Sequence, residues 1–448
     1  MERLDTLEYG IAQGKASLIT LVEQILLAES EELSAQKSIV DQLVDHLCEI
    51  TDIELYPEYF LDKEASDTEQ GKAVSMISAA QCAKEYMRTQ VFLRGNYQAI
   101  QERLSKQEGI RLLYAGTGPF ALLVIPILSF FRPDQLQVTL LDIHQESLSA
   151  VKKVIQAFGV EQYIDQIFCT DILEWQPDQS DQKYDLIVSE TMKAMLEQEP
   201  QVSVFRHLIP YLADGGALLP QQIIIEGWLQ PEEPESASTY LGEFFSLNCD
   251  SALMLHQQKA PEIKQQLAVP SDASPYSSLI FTTSIQVYAG HWLRDRQCSL
   301  NKPHRIPRAA PLPGSLIHGH YVFGHYPAFE FNIFKADSVA DRAQVAFSND
   351  SLLGVPCLSY IWQMAQKMKH GQLLSKEDQQ QVWSLTLDVF DILTIDSRDA
   401  MPLLFSCPTG QQVEQFILSA NNGEISSKQI QALRCLATDF SNGNKPLI

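Results

Sequence analysis

Hydrophobic positions in the first hundred residues recur at helical spacing. Leu18, Leu21, Ile25 and Leu26 form one stripe, and Val40, Leu43, Leu47 and Ile50 form a second. The spacing predicts helices through residues 1–107, interrupted by a polar break at Asp62–Gly71 and resumed as a run from Ser78 to Leu104. From Ile110 the period shortens. Apolar runs now alternate with helical stretches: IRLLYAG then PFALLVIPILSFF, QVTLLDI then QESLSAVKKVIQAFG, then QIFCTDI, YDLIVSE, a helix through VFRHLIPYL and a final run, IIIEGWL. Strands that alternate with helices form a parallel sheet with crossovers, so residues 108–224 are expected to be a Rossmann-like α/β domain. Beyond residue 224 the strand runs lose their helices. SLIFTTSIQVYAGHWL and SLIHGHYVFGHYPAFEFNIF, separated by the Pro-rich NKPHRIPRAAPLPG, predict an antiparallel sandwich or barrel over 225–335. Residues 336–448 return to helical spacing.

Composition narrows the classes. The chain of 448 residues is 45% hydrophobic and 20% charged, the profile of a globular protein with a sizeable core. Its 33 Lys and Arg against 56 Asp and Glu give a net charge of −23, which argues against nucleic-acid or anionic-membrane partners and favours a cationic one. Cysteines 48, 82, 169, 249, 298, 357, 407 and 435 contain no C-x-x-C pair and read as reduced thiols of a cytoplasmic protein. The acidic N-terminus does not read as a secretory leader, and Phe120–Phe131, the most apolar stretch, is too short to span a bilayer. His318, His320 and His325 lie in a β segment without a further ligand at suitable spacing, so no metal site is expected.

The candidate chemistry begins at Tyr114-Ala115-Gly116-Thr117-Gly118-Pro119-Phe120-Ala121, which ends one strand and is expected to open a helix. Gly116 and Gly118 permit a tight turn and close approach of backbone N–H groups to a ligand. Asp142 ends the next strand, where a carboxylate can accept ribose hydroxyls, and Asp171 is expected to end the third, within reach of an adenine amino group. A nicotinamide dehydrogenase shares the loop and the ribose acid. The carboxylate-rich loop after YDLIVSE and the Gly-Gly turn within Pro210–Pro220 instead resemble class I S-adenosylmethionine-dependent methyltransferases. Many of those carry an acidic residue where this chain has Tyr114-Ala115.

A closer resemblance rests on three segments. Ser189-Glu190-Thr191-Met192 opens the loop, and Glu199-Pro200 follows with the second glutamate nine positions after the first. Met87-Arg88-Thr89 lies on the helix before the first strand, and Gly290-His291-Trp292 lies in the β region. Together these resemble the protein arginine N-methyltransferase family over residues 80–335. The resemblance implies S-adenosyl-L-methionine as cofactor, its carboxylate held by Arg88, with Tyr114, Gly116, Thr117, Gly118, Asp142, Ile143, Asp171, Ile172 and Glu190 around it. It implies Glu190 and Glu199 as the carboxylates that grip substrate and His291 as a catalytic neighbour, with Glu197 a competitor for the second position. Thr191 and Lys193 depart from the family's aromatic and glycine, and Gly290 replaces its threonine. The stretch between Glu199 and His291 is short for a dimerisation arm, although a homodimer stays compatible with the resemblance, and the helical region after 336 lies outside the family's usual plan.

The chemistry of such a carboxylate pair is independent of the resemblance. A guanidinium stays protonated and is a poor nucleophile, and two glutamates can grip it bidentately, draw charge from the reacting nitrogen and aim it at a methyl donor. The expected enzyme is an N-methyltransferase acting on an arginine-containing peptide or a free arginine-like metabolite. A small-molecule N- or O-methyltransferase of unrelated substrate and a catalytically silent binding scaffold are the alternatives.

Overall fold

The computed structural model describes residues 2–27, 33–55, 66–179, 181–231, 237–273, 278–294, 296–306, 311, 313–334, 356–369, 375–396, 404, 410–421 and 425–441. The chain divides into two compact units, Met1–Lys335 and Ala336–Ile448.

In the first unit, α1 (Glu2–Leu27) and α2 (Leu33–Thr51) bury Leu18, Val22 and Ile25 with Val40, Leu43 and Leu47. Residues 62–65 of the expected polar break lie outside the described residues. Its remainder is not plain loop, because β1 (Ser66–Thr68) and β2 (Gly71–Ala73) form an antiparallel hairpin. The expected helical run from Ser78 is two helices, α3 (Met76–Cys82) and α4 (Tyr86–Leu104). Ser75 caps α3 by accepting from Ser78 N, and Thr89 Oγ1 closes the junction by donating to Ala83 O at 2.8 Å.

The strands β3 (Ile110–Ala115), β4 (Leu136–Asp142), β5 (Ile164–Cys169), β6 (Tyr184–Ser189) and β7 (Leu212–Leu219) form one parallel sheet in the order β5-β4-β3-β6-β7. Burial on both faces explains why β3, β4 and β6 read as continuous apolar runs. Two expectations change here. PFALLVIPILSFF forms no α-helix but turns followed by a 3-10 segment, Ile125–Phe130. Pro119 and Pro126 remove N–H donors and disfavour helical backbone at the residues before them. The Gly-Gly turn within Pro210–Pro220, expected to precede a strand, is itself part of β7. Helix α5 (Gln145–Phe158) buries Leu148, Val151, Val154, Ile155 and Phe158, and stops at Gly159, whose φ of +61° supplies the left-handed cap. Both α1 and α2 contact α5. The Lys153–Asp52 ion pair at this contact is largely exposed and worth about 0–1 kcal/mol, so apolar packing decides the docking. Helix α6 (Gln201–Leu208) leads into β7.

The antiparallel part comprises β8 (Gln222–Gln230), β9 (Thr239–Asn248), α7 (Cys249–Gln257), β10 (Lys264–Ala268), β11 (Ser278–Tyr288), β12 (His291–Leu293), β13 (His304–Arg305), β14 (Leu316–Val322) and β15 (Ala328–Phe334). One sheet runs β12-β11-β8-β9 with β13 on β11, and the other runs β10-β14-β15. β8 and β11 alternate buried and half-buried positions, as strands with one face in a core do. Phe244, Phe281, Phe329 and Phe331 fill the space between the sheets, with Phe281 stacked on Phe331 at 4.5 Å and Phe244 tilted against Phe281 at 5.0 Å. The expected boundary at 224/225 falls inside β8, which pairs along its length with β9 and β11 and so belongs wholly to the antiparallel part. Helix α4 approaches this part closely because position 95 is glycine: a Cβ there would stand 2.6 Å from Val287 Cγ1.

The second unit holds α8 (Pro356–Lys369), α9 (Lys376–Ile392), α10 (Gly410–Ala420) and α11 (Ser427–Ser441) around Leu358, Ile361, Leu385, Phe390, Ile417 and Leu433. Among the described residues no helix is long and apolar enough to cross a membrane. The architecture is a Rossmann-like parallel sheet with a helical N-terminal layer, an antiparallel β part and a helical C-terminal unit.

Candidate active site

Strand order reverses between β3 and β6, since β4 and β5 lie to one side of β3, and β6 and β7 to the other. In open α/β sheets the crevice at the carboxyl ends of the strands beside such a reversal is where ligands sit. A cavity of about 670 Å³ lies there, bounded by the loops after β3, β4, β5 and β6 and by α3 and α4. Arg88, Tyr114, Gly116, Thr117, Gly118, Asp142, Ile143, Asp171, Ile172, Glu190 and Glu199, all singled out from the sequence, line it.

The glycine loop is shaped by backbone need. Gly116 has φ +78° and Gly118 φ +58°, and a Cβ on Gly116 would meet Thr191 Cγ2 at 2.6 Å. Asp142, 5% exposed, holds this loop closed. Its Oδ2 accepts from Gly118 N at 2.8 Å and Thr117 Oγ1 at 3.3 Å, and its Oδ1 from His144 N at 2.9 Å. His144 Nδ1 also stands 3.5 Å from Oδ1, so of a carboxylate's about four acceptor sites at most one is left for a ligand hydroxyl. Asp171 lies two residues past the end of β5 rather than at it, its Oδ1 accepting from Leu173 N at 2.9 Å. Tyr114 is buried with its Oη donating to Thr117 O, and burial pushes its phenol well up.

Arg88 is the unexpected element. Its guanidinium, expected to await a ligand carboxylate, ion-pairs Glu190 and also Glu85, the latter at 3.0 Å. Glu85 in turn accepts from Ser299 N at 2.8 Å and Ser299 Oγ at 2.9 Å. A chain of charge-assisted bonds therefore joins the loop before β13, α4 and the end of β6. Burial raises the Glu190 carboxyl above the ordinary carboxylate range, and Arg88 opposes that rise. The other oxygen, Glu190 Oε1, is buried and meets no side-chain donor among the described residues, while the Met192 backbone N–H helps Arg88 to hold the carboxyl's pKa down.

The loop that carries Glu197 and Glu199 is held in an unusual backbone conformation. Met195, Leu196 and Gln198 are non-glycine residues with φ of 63°, 57° and 62°. Each such residue costs on the order of 1–3 kcal/mol and persists only where its surroundings fix it. Here they do so from four sides. Met195 N donates to Thr283 Oγ1 at 2.9 Å, Tyr321 Oη donates to Leu196 O at 2.8 Å, Gln198 N donates to Pro327 O at 2.7 Å, and Lys72 N donates to Gln198 O at 2.6 Å. The antiparallel part and the β1–β2 hairpin thus set the position of Glu199, which is 8% exposed.

The histidine beside these carboxylates is His304, not His291. His304 lines the cavity with Nδ1 3.6 Å from Glu197 Oε1. Burial raises the Glu197 carboxyl, and His304 and Lys193 pull it back. His291 sits in a separate depression with Leu26, Arg94 and Tyr97, where burial and then Arg94 lower its pKa. It opens β12, paired with Tyr288 of β11, and does not line the cavity. His291→Ala is accordingly expected to change kcat by no more than about threefold, a factor below 1 kcal/mol, in a steady-state assay. A loss of a hundredfold or more would return His291 to the site. Sequence reasoning also missed Glu85 and His304. Glu85 carried a usable signal, an acid three residues before Arg88 on one helix face. His304 lay in a Pro-rich stretch that read as a spacer.

No protein-family model matches the chain, and no curated protein matches it. Solved structures do. The chain is similar to a Trypanosoma brucei PRMT1 enzyme–prozyme heterotetrameric complex with AdoHcy, at 12% identity and a TM-score of 0.40, covering 57% of this chain and 93% of that one. It is also similar to an open conformation of Arabidopsis thaliana protein arginine methyltransferase 10, at 9% identity and a TM-score of 0.41, covering 59% of this chain and 96% of that one.

Proposed function

We propose that the chain is an S-adenosyl-L-methionine-dependent N-methyltransferase acting on a guanidino nitrogen. The observation that carries the reading is Glu190: one oxygen already pairs a guanidinium, that of Arg88, and the other is buried without a side-chain donor, in the cavity that Glu199 and the glycine loop also line. A buried carboxylate oxygen without a donor is costly, and a donor-rich planar cation relieves that cost best.

The residues around the glycine loop fit the cofactor. The Gly116 cradle has no room for a Cβ, Asp142 retains at most one acceptor site for a ribose hydroxyl, and Arg88 lines the cavity, where a cofactor carboxylate would share its guanidinium with Glu85 and Glu190. S-adenosylmethionine supplies, when bound, an electrophilic methyl on a sulfonium. Glu190 and Glu199 then accept hydrogen bonds from the substrate guanidinium, draw its charge to the far nitrogens and fix its orientation. The walls of the cavity exclude water from Glu190, whose side chain is 7% exposed, and this strengthens each of those contacts. Positioning supplies most of the rate, so neither glutamate has to be a strong base.

Incubation with methyl-labelled cofactor against arginine and arginine-containing peptides tests the reading, with label expected on a guanidino nitrogen. Label only on neutral or anionic acceptors would favour the small-molecule alternative. Asp142→Ala is expected to weaken cofactor binding by about tenfold or more in calorimetry, because a charged acceptor holding the glycine loop is lost. Unchanged affinity, or tight NADH binding by the wild type, would remove the cofactor assignment.

A further inference from the structure

We infer that the outer edge of β15 is a docking strand for the acceptor: an arginine-containing peptide segment adds to it in extended form and so brings its arginine to the carboxylate loop. Resting on the guanidine methyltransferase reading, this assigns the acceptor to peptides rather than to free metabolites.

β15 is the last strand of the sheet β10-β14-β15. The backbone fixes which of its residues face outward. Tyr321 N donates to Ile263 O, just before β10, at 2.9 Å, so the backbone groups of Tyr321 turn to that side of β14. Backbone groups alternate sides along an antiparallel strand, so those of Val322, His320 and His318 turn toward β15, where they oppose Ala328, Glu330 and Asn332. The N–H and C=O groups of Phe329, Phe331 and Ile333 then point away from the sheet. Among the described residues no strand pairs with them.

The carboxylate loop already occupies the start of this edge. Pro327, in phase with Phe329 and Phe331, accepts from Gln198 N at 2.7 Å. Gln198 lies between Glu197 and Glu199, both in the wall of the cavity. A strand advances about 3.3 Å per residue, so a segment of about five residues matches the edge from Phe329 to Ile333, and its end nearest Pro327 lies beside the carboxylate loop. Antiparallel pairing is the more stable per residue, which places the paired residues before the arginine in the peptide. Backbone bonds along such an edge give affinity to any extended segment, and the pocket then selects its side chain. Charge agrees with a cationic segment. Glu330 is exposed on this strand, the cavity is lined by six carboxylates against four lysines and arginines, and the net charge of −23 draws cations toward the protein.

The test compares methyl transfer from labelled cofactor to a peptide with six residues before its arginine, to one with the same six after it, and to free arginine. Two further versions of the first peptide carry backbone N-methyl groups on alternate residues before the arginine, in the two possible phases. Only one phase removes the N–H groups that bond β15. The first peptide is expected to exceed both comparators in kcat/KM by about tenfold or more, and one N-methyl phase alone should lose that advantage. Ile333→Pro removes an outward N–H while keeping the bonds to β14, and should lower the kcat/KM of the peptide relative to that of free arginine by about threefold or more. Free arginine or the reversed peptide serving equally well, or both N-methyl phases behaving alike, overturns strand addition while leaving guanidine methylation intact. A second copy on the edge, read as a dimer that Ile333→Pro dissociates with no change in peptide selectivity, overturns it too. Calorimetric binding of cofactor with no methyl transfer to any guanidine overturns the guanidine reading and this inference with it.

Discussion

Glu190→Gln is expected to lower kcat on the best guanidine acceptor by about a hundredfold or more, with cofactor affinity unchanged or somewhat tighter. The amide keeps the shape of the side chain but removes the charge that pairs a guanidinium, and its NH2 group cannot accept from one. The lack of a penalty on cofactor binding follows from the Arg88 contact. In the wild type Arg88 is divided between Glu190 and Glu85, so removing the Glu190 charge leaves its guanidinium freer for a ligand carboxylate. The pH profile should carry the same signature. Burial raises the Glu190 carboxyl, and the working form is the carboxylate, so activity should fall on acidification at a pH above the ordinary carboxylate range. That acid limb should be absent from whatever activity the Gln protein retains. A Gln variant within a few fold of wild type would remove Glu190 from substrate recognition.

The parts of this site that could be read in the sequence were those fixed by local pattern. β3 and β4 announce themselves as apolar runs, Gly116 and Gly118 as a turn, Asp142 as the end of a strand, and Glu190 as the first residue beyond another. What local pattern does not contain is partner choice. Nothing in Met87-Arg88-Thr89 tells that Arg88 reaches a residue 102 positions later, because that contact is set by how α4 packs, through Gly95, against Val287. The helix expected after the glycine loop failed for a related reason. Its apolar residues carry burial but no helical stripe, and two prolines decide the backbone. The expected boundary at 224/225 cuts through β8 because an apolar run states that a strand is buried, not which neighbours it pairs with. His291 and His304 show the same limit: both lie near strand ends, and only the register against β11 separates them.

Arg88→Ala should be the most disruptive single change in the site. Arg88 is 9% exposed and stands between two glutamates, one of them deeply buried, so its removal leaves buried negative charge unpaired. Breaking a buried pair from one side costs about 3–5 kcal/mol, far more than a surface pair is worth. The deficit should depend on pH in a definite direction. Without Arg88 the Glu190 carboxyl rises further above its unfolded value, so the folded state holds a proton that the unfolded state has released. The stability lost relative to wild type then grows as pH rises from the ordinary carboxylate range through the raised folded value, and shrinks on acidification as Glu190 is neutralised in place. Thermal melts on the two sides of that window measure it. The double change Arg88→Ala, Glu190→Gln separates structure from ligand binding. It should regain much of the melting temperature, since the unpaired charge has gone, yet remain impaired in cofactor binding by about tenfold or more, since no cation remains for the cofactor carboxylate. An Arg88→Ala protein that melts with wild type and binds cofactor normally would show that the Arg88–Glu190 contact neither holds the site together nor recognises the ligand.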